Sequence, residues 1–100
     1  TLHPVYRERR DRVLSVLRSD GWSIPTPEMA LYLWLPLPER LRQQGLNDET
    51  LVTRILQSSG VALTPGSGFG PAGRDWLRMA LVRPVDELER AAHRLLDALR

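Results

Sequence analysis

Three segments carry apolar residues three or four positions apart, the spacing of an amphipathic α-helix. The first covers residues 4–19, and the second runs from about 48 to 58, capped by Asn47 or Asp48. The third follows Pro84 and begins with acidic residues, which the positive end of a helix favours. In chain order the apolar stripes are Val13, Val16 and Leu17; Leu51, Val52, Ile55 and Leu56; and Leu88, Ala91, Ala92, Leu95, Leu96 and Leu99.

Short runs rich in aromatic and branched residues alternate with these helices and predict β-strands. They are Trp22–Ile24, Leu31–Leu35, Val61–Thr64 and Trp76–Val82. Successive side chains of a strand point to opposite faces of the sheet. In the second and fourth strands, one face therefore carries the leucines and Met79. The other face carries Tyr32, Trp34, Trp76 and Arg78.

The alternation of helices and strands predicts an α+β fold, a two-layer small domain with a three- to four-stranded, mostly antiparallel sheet and helices packed on one face. A shorter helical turn is expected at Glu39–Gln44. The length of 100 residues, 42% of them hydrophobic, indicates a single domain over residues 1–100 with a core of its own. The aromatic face of the sheet is expected to be covered by another domain, a partner or a ligand.

A glycine-rich turn, Pro65–Gly73, precedes the last strand and holds four glycines and two prolines. Its backbone is expected to visit conformations that other residues avoid. Arg78 follows in mid-strand, on the face away from the leucines. A guanidinium placed there suits two-point recognition of a carboxylate or phosphate. The alternative, from these residues alone, is a surface arginine on an edge strand.

The composition excludes several kinds of chemistry. All 14 basic residues are arginine, and 12 acidic residues leave a net charge of only +2, so nucleic-acid binding is not expected. The mixed charges of residues 6–12 are typical of a solvated helix face. With no cysteine and only His3 and His93, no metal site is expected. No apolar run is long enough to span a bilayer, so we expect no membrane partner and a cytoplasmic location.

Several motifs in the same order resemble the class I/II aminotransferases, the fold-type-I enzymes that use pyridoxal phosphate. PGSGFG followed closely by WLRMALV resembles the C-terminal segment of that family. Residues 6–11 (YRERRD) resemble its Y-x-x-R-R-D helix, and residues 27–34 (PEMALYLW) resemble its P-x-G-A-x-Y-x-W strand, with Met29 where relatives often have glycine. ELERAAHRLLDAL is similar to the last helix of the family, so the resemblance covers essentially all 100 residues.

The resemblance implies that this region is the C-terminal small domain of an aminotransferase, which closes on a large domain earlier in the chain. It further implies that Arg78 binds the α-carboxylate of the substrate and that Tyr32 lies near the substrate. The implied reaction converts an amino acid to a 2-oxo acid, and a second 2-oxo acid collects the amine. The full-length enzyme would be a homodimer that uses pyridoxal 5′-phosphate.

The large, cofactor-binding domain is expected to be absent from this chain. In the family it supplies the Schiff-base lysine, the aspartate that pairs with the pyridine nitrogen and the phosphate-binding residues. This chain has no lysine, so it cannot form the covalent link to the cofactor. We therefore expect the 100 residues alone to bind no cofactor, to supply no catalytic group and to be inactive.

Two other functions stay open at this point. One is the C-terminal part of a transcription regulator with a fused aminotransferase-like effector domain, although the F-G-x-x-G run before the arginine strand is more similar to the enzymes. The other is an independent arginine-rich nucleic-acid binder, against which the small net charge argues. The resemblance indicates no particular substrate side chain, because residues outside this region largely choose it.

Overall fold

The computed structural model describes residues 3–28 and 31–100, so Met29 and its turn lie outside the described residues. The α-helices are Pro4–Ser19 (α1), Glu39–Gln43 (α2), Asp48–Ser59 (α3) and Val85–Leu99 (α4). The strands are Tyr32–Pro36 (β1), Thr64–Pro65 (β2) and Trp76–Ala80 (β3). The order along the chain is α1, β1, α2, α3, β2, β3, α4. Within the described ranges, no helix is long and apolar enough to cross a membrane.

The three strands form one antiparallel sheet in which β3 is central, with β1 on one side and β2 on the other. One face carries Leu33, Leu35, Leu77 and Met79, all buried. These side chains belong to a single core cluster with apolar residues from all four helices. The structure thus confirms the predicted α+β fold, a small domain with an antiparallel sheet of three strands.

The apolar stripes predicted from helical periodicity are buried or, at Val52 and Ala91, half-buried, with one exposed exception. Val13, Leu17 and Leu95 are fully buried, as the stripes of α1 and α4 require. In α3, however, Leu56 is 49% exposed, while its neighbour Ile55 is fully buried. One residue along a helix corresponds to a rotation of about 100°, which turns Leu56 out of the core-facing stripe.

Two of the four predicted strands need correction. Trp22–Ile24 is not a strand; instead the indole Nε1 of Trp22 donates a hydrogen bond to the Pro36 carbonyl at 2.8 Å. The predicted strand Val61–Thr64 reaches the sheet only at its last residue, since the pairing involves Thr64 and Pro65. Pro65 has no N–H to extend a ladder, and the chain then turns into a 3₁₀ helix.

The two longer strands are also displaced slightly at their ends. Leu31, predicted on the buried face, precedes the first paired residue of β1 and is 44% exposed. The last strand ends at Ala80 instead of Val82, which is 59% exposed. Hydrogen bonding continues one step beyond the strands, because the Leu81 N–H donates to the Leu31 carbonyl at 2.9 Å.

The charged run at the start of α1 does more than solvate a helix face. Arg9 and Arg10 are both half-buried. Arg9 Nη1 donates to the Leu81 carbonyl at 3.0 Å, and Arg10 Nη1 donates to the Pro27 carbonyl at 3.0 Å. These two arginines therefore fasten α1 to the end of β3 and to the segment before β1. Their role here is structural.

Candidate functional site

Arg78 stands in the middle of the sheet, which rules out the edge-strand alternative. It belongs to the central strand, paired with Trp34 of β1 on one side and Thr64 of β2 on the other. Its side chain projects from the face opposite the leucines, where the neighbouring residues are half-buried or exposed. The register therefore fixes the base of Arg78, and its long side chain extends across the aromatic face.

Two aromatic rings contact the Arg78 guanidinium. Its Cζ atom lies 4.1 Å from the ring centroid of Tyr32 and 4.4 Å from that of Phe69. Both distances are within the range of a cation–π contact. Phe69 also meets Trp34 edge-to-face, with ring centroids 5.6 Å apart. The structure thus brings together Arg78 and Tyr32, the two predicted site residues, and adds Phe69.

The donors of Arg78 have no acceptor in the described residues. Its Nε is buried without a hydrogen-bond partner there. Nor does Arg78 form an ion pair in that part of the chain, although nine ion pairs occur elsewhere. Seven other arginines also lack ion pairs there: Arg7, Arg54, Arg74 and Arg94 are exposed to water, whereas Arg9, Arg18 and Arg40 donate to backbone carbonyls. The Nε of Arg9 is also buried without a partner, but its Nη1 has an acceptor. A half-buried guanidinium with free donors can donate two parallel hydrogen bonds to a planar anion such as a carboxylate.

The loop that carries Phe69 is held closed by contact between two glycines. The loop forms two 3₁₀ turns, Gly66–Phe69 and Pro71–Gly73. A Cβ on Gly66 would lie 2.1 Å from the Gly73 carbonyl oxygen, and a Cβ on Gly73 would lie 2.0 Å from that of Gly66. Gly70, between the turns, has φ +116°. The predicted unusual backbone conformation is therefore confirmed at Gly70, whereas Gly66 and Gly73 need glycine because their backbones approach too closely for a side chain.

A buried carboxylate ties this loop to α3. Asn47, not Asp48, caps the helix, since its side chain accepts the Thr50 N–H at 2.8 Å. Asp48 instead turns to the loop, where its Oδ2 accepts the Ser67 N–H at 2.8 Å. Burial by itself raises the pKa of Asp48, but hydrogen bonds, chiefly from Ser67, outweigh it and lower the pKa. Asp48 therefore stays ionised and holds the loop two residues before Phe69.

An apolar cleft of about 360 Å³ opens next to the aromatic residues around Arg78. It shares Trp34 and Phe69 with the surroundings of Arg78 and is completed by Pro25, Ala72, Gly73 and Trp76. A larger cleft, of about 490 Å³, lies near the end of α4. There Trp22 and Arg40 already donate to backbone carbonyls, those of Pro36 and Leu99. The smaller cleft is therefore the better candidate, because it shares two aromatic residues with the surroundings of a cation with free donors.

Residue patterns alone did not indicate Phe69 or Asp48 as parts of this site. The signal for Phe69 was its position as the only phenylalanine of the chain, inside a glycine-rich loop. From its position at the start of α3, the sequence indicates Asp48 only as a possible helix cap. Across residues 3–28 and 31–100, no group of three potential metal ligands is found.

Comparisons with known proteins agree on one family. Residues 5–95 match the model of the family described as aminotransferase class I and II. The LL-diaminopimelate aminotransferase of Dehalococcoides mccartyi is 36% identical over 93 residues, which cover 93% of this chain and 23% of the relative. The enzyme of the same name from Oleidesulfovibrio alaskensis is 39% identical over 94 residues, covering 94% and 23%.

Solved structures agree with these sequence relatives. A probable N-succinyldiaminopimelate aminotransferase from Thermus thermophilus superposes with a TM-score of 0.78 at 44% identity, covering 94% of this chain and 24% of that one. An aromatic aminotransferase from Pyrococcus horikoshii gives 0.82 at 30% identity, covering 95% and 24%. The chain thus spans about a quarter of the length of these relatives. Since the family model matches most of its residues, the chain belongs to the class I and II aminotransferase family.

Proposed function

We propose that this chain is the C-terminal small domain of a pyridoxal-phosphate-dependent aminotransferase and that Arg78 binds the α-carboxylate of its substrates. The observation that carries the proposal is the Arg78 guanidinium itself, in contact with two aromatic rings and with its donors free of any described acceptor. Both substrates of a transamination, the amino acid and the 2-oxo acid, carry a carboxylate that a guanidinium can bind at two points through parallel N–H donors. Tyr32 supplies one of the two rings and so helps to place the guanidinium.

The cofactor belongs to the rest of the enzyme. Pyridoxal phosphate, when bound there, supplies the electron-withdrawing chemistry of the reaction. The residues of this chain do not fit a role in holding it, because the chain has no lysine for the covalent link. What Arg78 contributes is orientation: gripping the carboxylate fixes the substrate so that its amino group and Cα–H bond face the reacting centre. Alone, the 100 residues are inactive in this proposal.

The remaining partners follow from the same proposal. The matched relatives are about four times as long, which leaves room for the large, cofactor-binding domain. The half-buried aromatic face and its cleft would lie toward that domain, and closure over the substrate would exclude water. The complete enzyme would act as a homodimer. The names of the relatives include diaminopimelate, succinyldiaminopimelate and aromatic aminotransferases, and the proposal selects none of these side chains.

The test uses the complete enzyme, including the sequence upstream of these residues. Replacing a charge-assisted two-point contact should cost about 3 kcal/mol, so Arg78→Gln should lower kcat/KM by roughly two orders of magnitude. Arg78→Lys keeps the charge but loses the planar guanidinium with its two parallel donors. Its kcat/KM should therefore lie between those of Arg78→Gln and the wild-type enzyme. Arg74→Gln, an exposed loop arginine close in sequence, serves as the matched control and should change kcat/KM less than threefold.

Two outcomes would contradict the proposal. Near-normal kcat/KM in a folded, cofactor-bound Arg78→Gln enzyme would mean that Arg78 does not bind the carboxylate. Failure of the wild-type enzyme to transaminate any amino acid while it binds cofactor would favour the regulator with an aminotransferase-like effector domain. A winged-helix DNA-binding domain in the upstream sequence would support that second result.

A further inference from the structure

Phe69 supplies the second aromatic ring in contact with the guanidinium, although it lies on a loop instead of a strand. We infer that Phe69 is a positioning residue for Arg78: its ring restricts the plane of the guanidinium, and so tightens substrate carboxylate binding. The inference rests on the proposed function, because it assumes that Arg78 binds the carboxylate. It goes further in assigning a task to the glycine-rich loop, which is to deliver one aromatic ring to one arginine.

The position of Phe69 is hard to explain by packing into the core. Its side chain is 53% exposed, and it lies outside the core cluster of buried residues. Its described contacts are with the functional face: the Arg78 guanidinium at 4.4 Å and, edge-to-face, the Trp34 ring at 5.6 Å. An exposed phenylalanine gains little from burial. Its position is therefore explained best by what it does to Arg78.

The loop is built to hold that ring in place. Before Phe69, the Ser67 N–H is bound by the buried carboxylate of Asp48. After it, Gly70 adopts φ +116°, a conformation that favours glycine. The backbones at Gly66 and Gly73 touch across the base of the loop, so the two 3₁₀ turns are pinned together. These contacts restrict the position of the Phe69 ring relative to Arg78.

Restricting the guanidinium matters because two-point binding depends on its plane. Arginine has a long side chain with many rotamers, and a carboxylate meets both donors only when the fork lies in one plane with it. Tyr32 contacts the guanidinium with one ring, at 4.1 Å. With Phe69 as a second ring in contact, the plane of the guanidinium is restricted before substrate arrives, and less freedom is lost on binding. Removal of Phe69 should therefore weaken substrate binding more than it slows the chemical step.

The test compares single and double variants of the complete, cofactor-bound enzyme. Phe69→Leu removes the ring but keeps an apolar side chain, and it should raise KM for the amino acid about tenfold with kcat changed less than threefold. Phe69→Tyr keeps the ring and should restore KM to within about threefold of wild type. Leu56→Ala, on the exposed side of α3, is the matched control for loss of an exposed apolar side chain and should leave KM unchanged.

The double variant Phe69→Leu, Arg78→Gln decides whether Phe69 acts through the arginine. If it does, the double variant should be no worse than Arg78→Gln alone. An additional tenfold loss in the double variant would show that Phe69 acts independently of Arg78 and would overturn the inference. Normal KM in Phe69→Leu would overturn it too. If Arg78→Gln itself has normal kcat/KM, the proposed function fails instead, so the two failures are distinguishable.

Discussion

The contact between Gly66 and Gly73 predicts that a single methyl group at Gly66 will destabilise this small domain. Gly66 is buried, and the ideal Cβ of an alanine there would lie 2.1 Å from the Gly73 carbonyl oxygen and 2.8 Å from that of Trp76. Real Cβ atoms do not approach so closely, and both obstacles are backbone atoms, which cannot turn aside as a flexible side chain can. The two 3₁₀ turns must therefore separate in Gly66→Ala.

The magnitude follows from what that separation disrupts. Forcing an extra methyl into well-packed protein costs about 1–3 kcal/mol. Because backbone must move here, the upper end of that range applies, and we expect Gly66→Ala to lower the free energy of unfolding by about 3 kcal/mol. For a domain of this size, 1 kcal/mol corresponds to a change in Tm of about 4–8 °C. The expected fall in Tm is therefore about 12–24 °C.

The same loop offers a matched control at Gly68. A Cβ there meets no atom within 4 Å, and its φ lies outside the left-handed region. Gly68→Ala should therefore be neutral or should stabilise the chain by up to about 1 kcal/mol, since alanine restricts the unfolded chain more than glycine does. Urea and thermal unfolding of the 100-residue chain, followed by circular dichroism, would measure both variants. Equal unfolding midpoints for Gly66→Ala and Gly68→Ala would refute the reasoning.

Two further predictions concern side chains that bind backbone groups. Asp48→Asn should cost about 1 kcal/mol at pH 7, because the bond to Ser67 loses its charge. The folded-state pKa of Asp48 is lowered from 3.8, so its contribution is fully present above 3.8 and is lost as the pH falls through the lowered folded-state pKa. A difference between the urea midpoints of the two proteins that does not shrink as the pH is lowered below 3.8 would contradict this. Trp22→Phe removes the 2.8 Å bond to Pro36 and should cost about 1 kcal/mol, and an unchanged urea midpoint would contradict that.

Local periodicity accounts for the parts of the fold that the sequence predicted well. α1 begins and ends where its pattern placed it, at residues 4 and 19, and α4 follows Pro84 as expected. The alternation in β3 put Leu77 and Arg78 on opposite faces correctly. These predictions succeed because side-chain direction in a helix or strand depends on neighbours only a few residues away. The geometry of the element decides them before any tertiary contact forms.

Contacts between distant residues account for what the sequence did not predict. Trp22 looked like part of a strand, but its indole binds a carbonyl 14 residues away, at Pro36. Asp48 looked like a helix cap, but it binds Ser67, 19 residues later. Phe69 meets Arg78 only because the loop bends through two 3₁₀ turns around Gly70. Neither periodicity nor composition carries information about such pairings.

The two rings that contact Arg78 are positioned differently, one by a strand and the other by a loop. Tyr32 is fixed by strand register, since it pairs with Ala80 on the central strand, and its neighbour Trp34 pairs with Arg78 itself. Phe69 depends on a loop held by one carboxylate and one pair of glycines. The pairing of β1 with β3 breaks only when the sheet unfolds, whereas a loop can change conformation locally at a smaller cost in free energy. Phe69 therefore keeps its place only while those two loop contacts hold, whereas Tyr32 keeps its place as long as the sheet is formed.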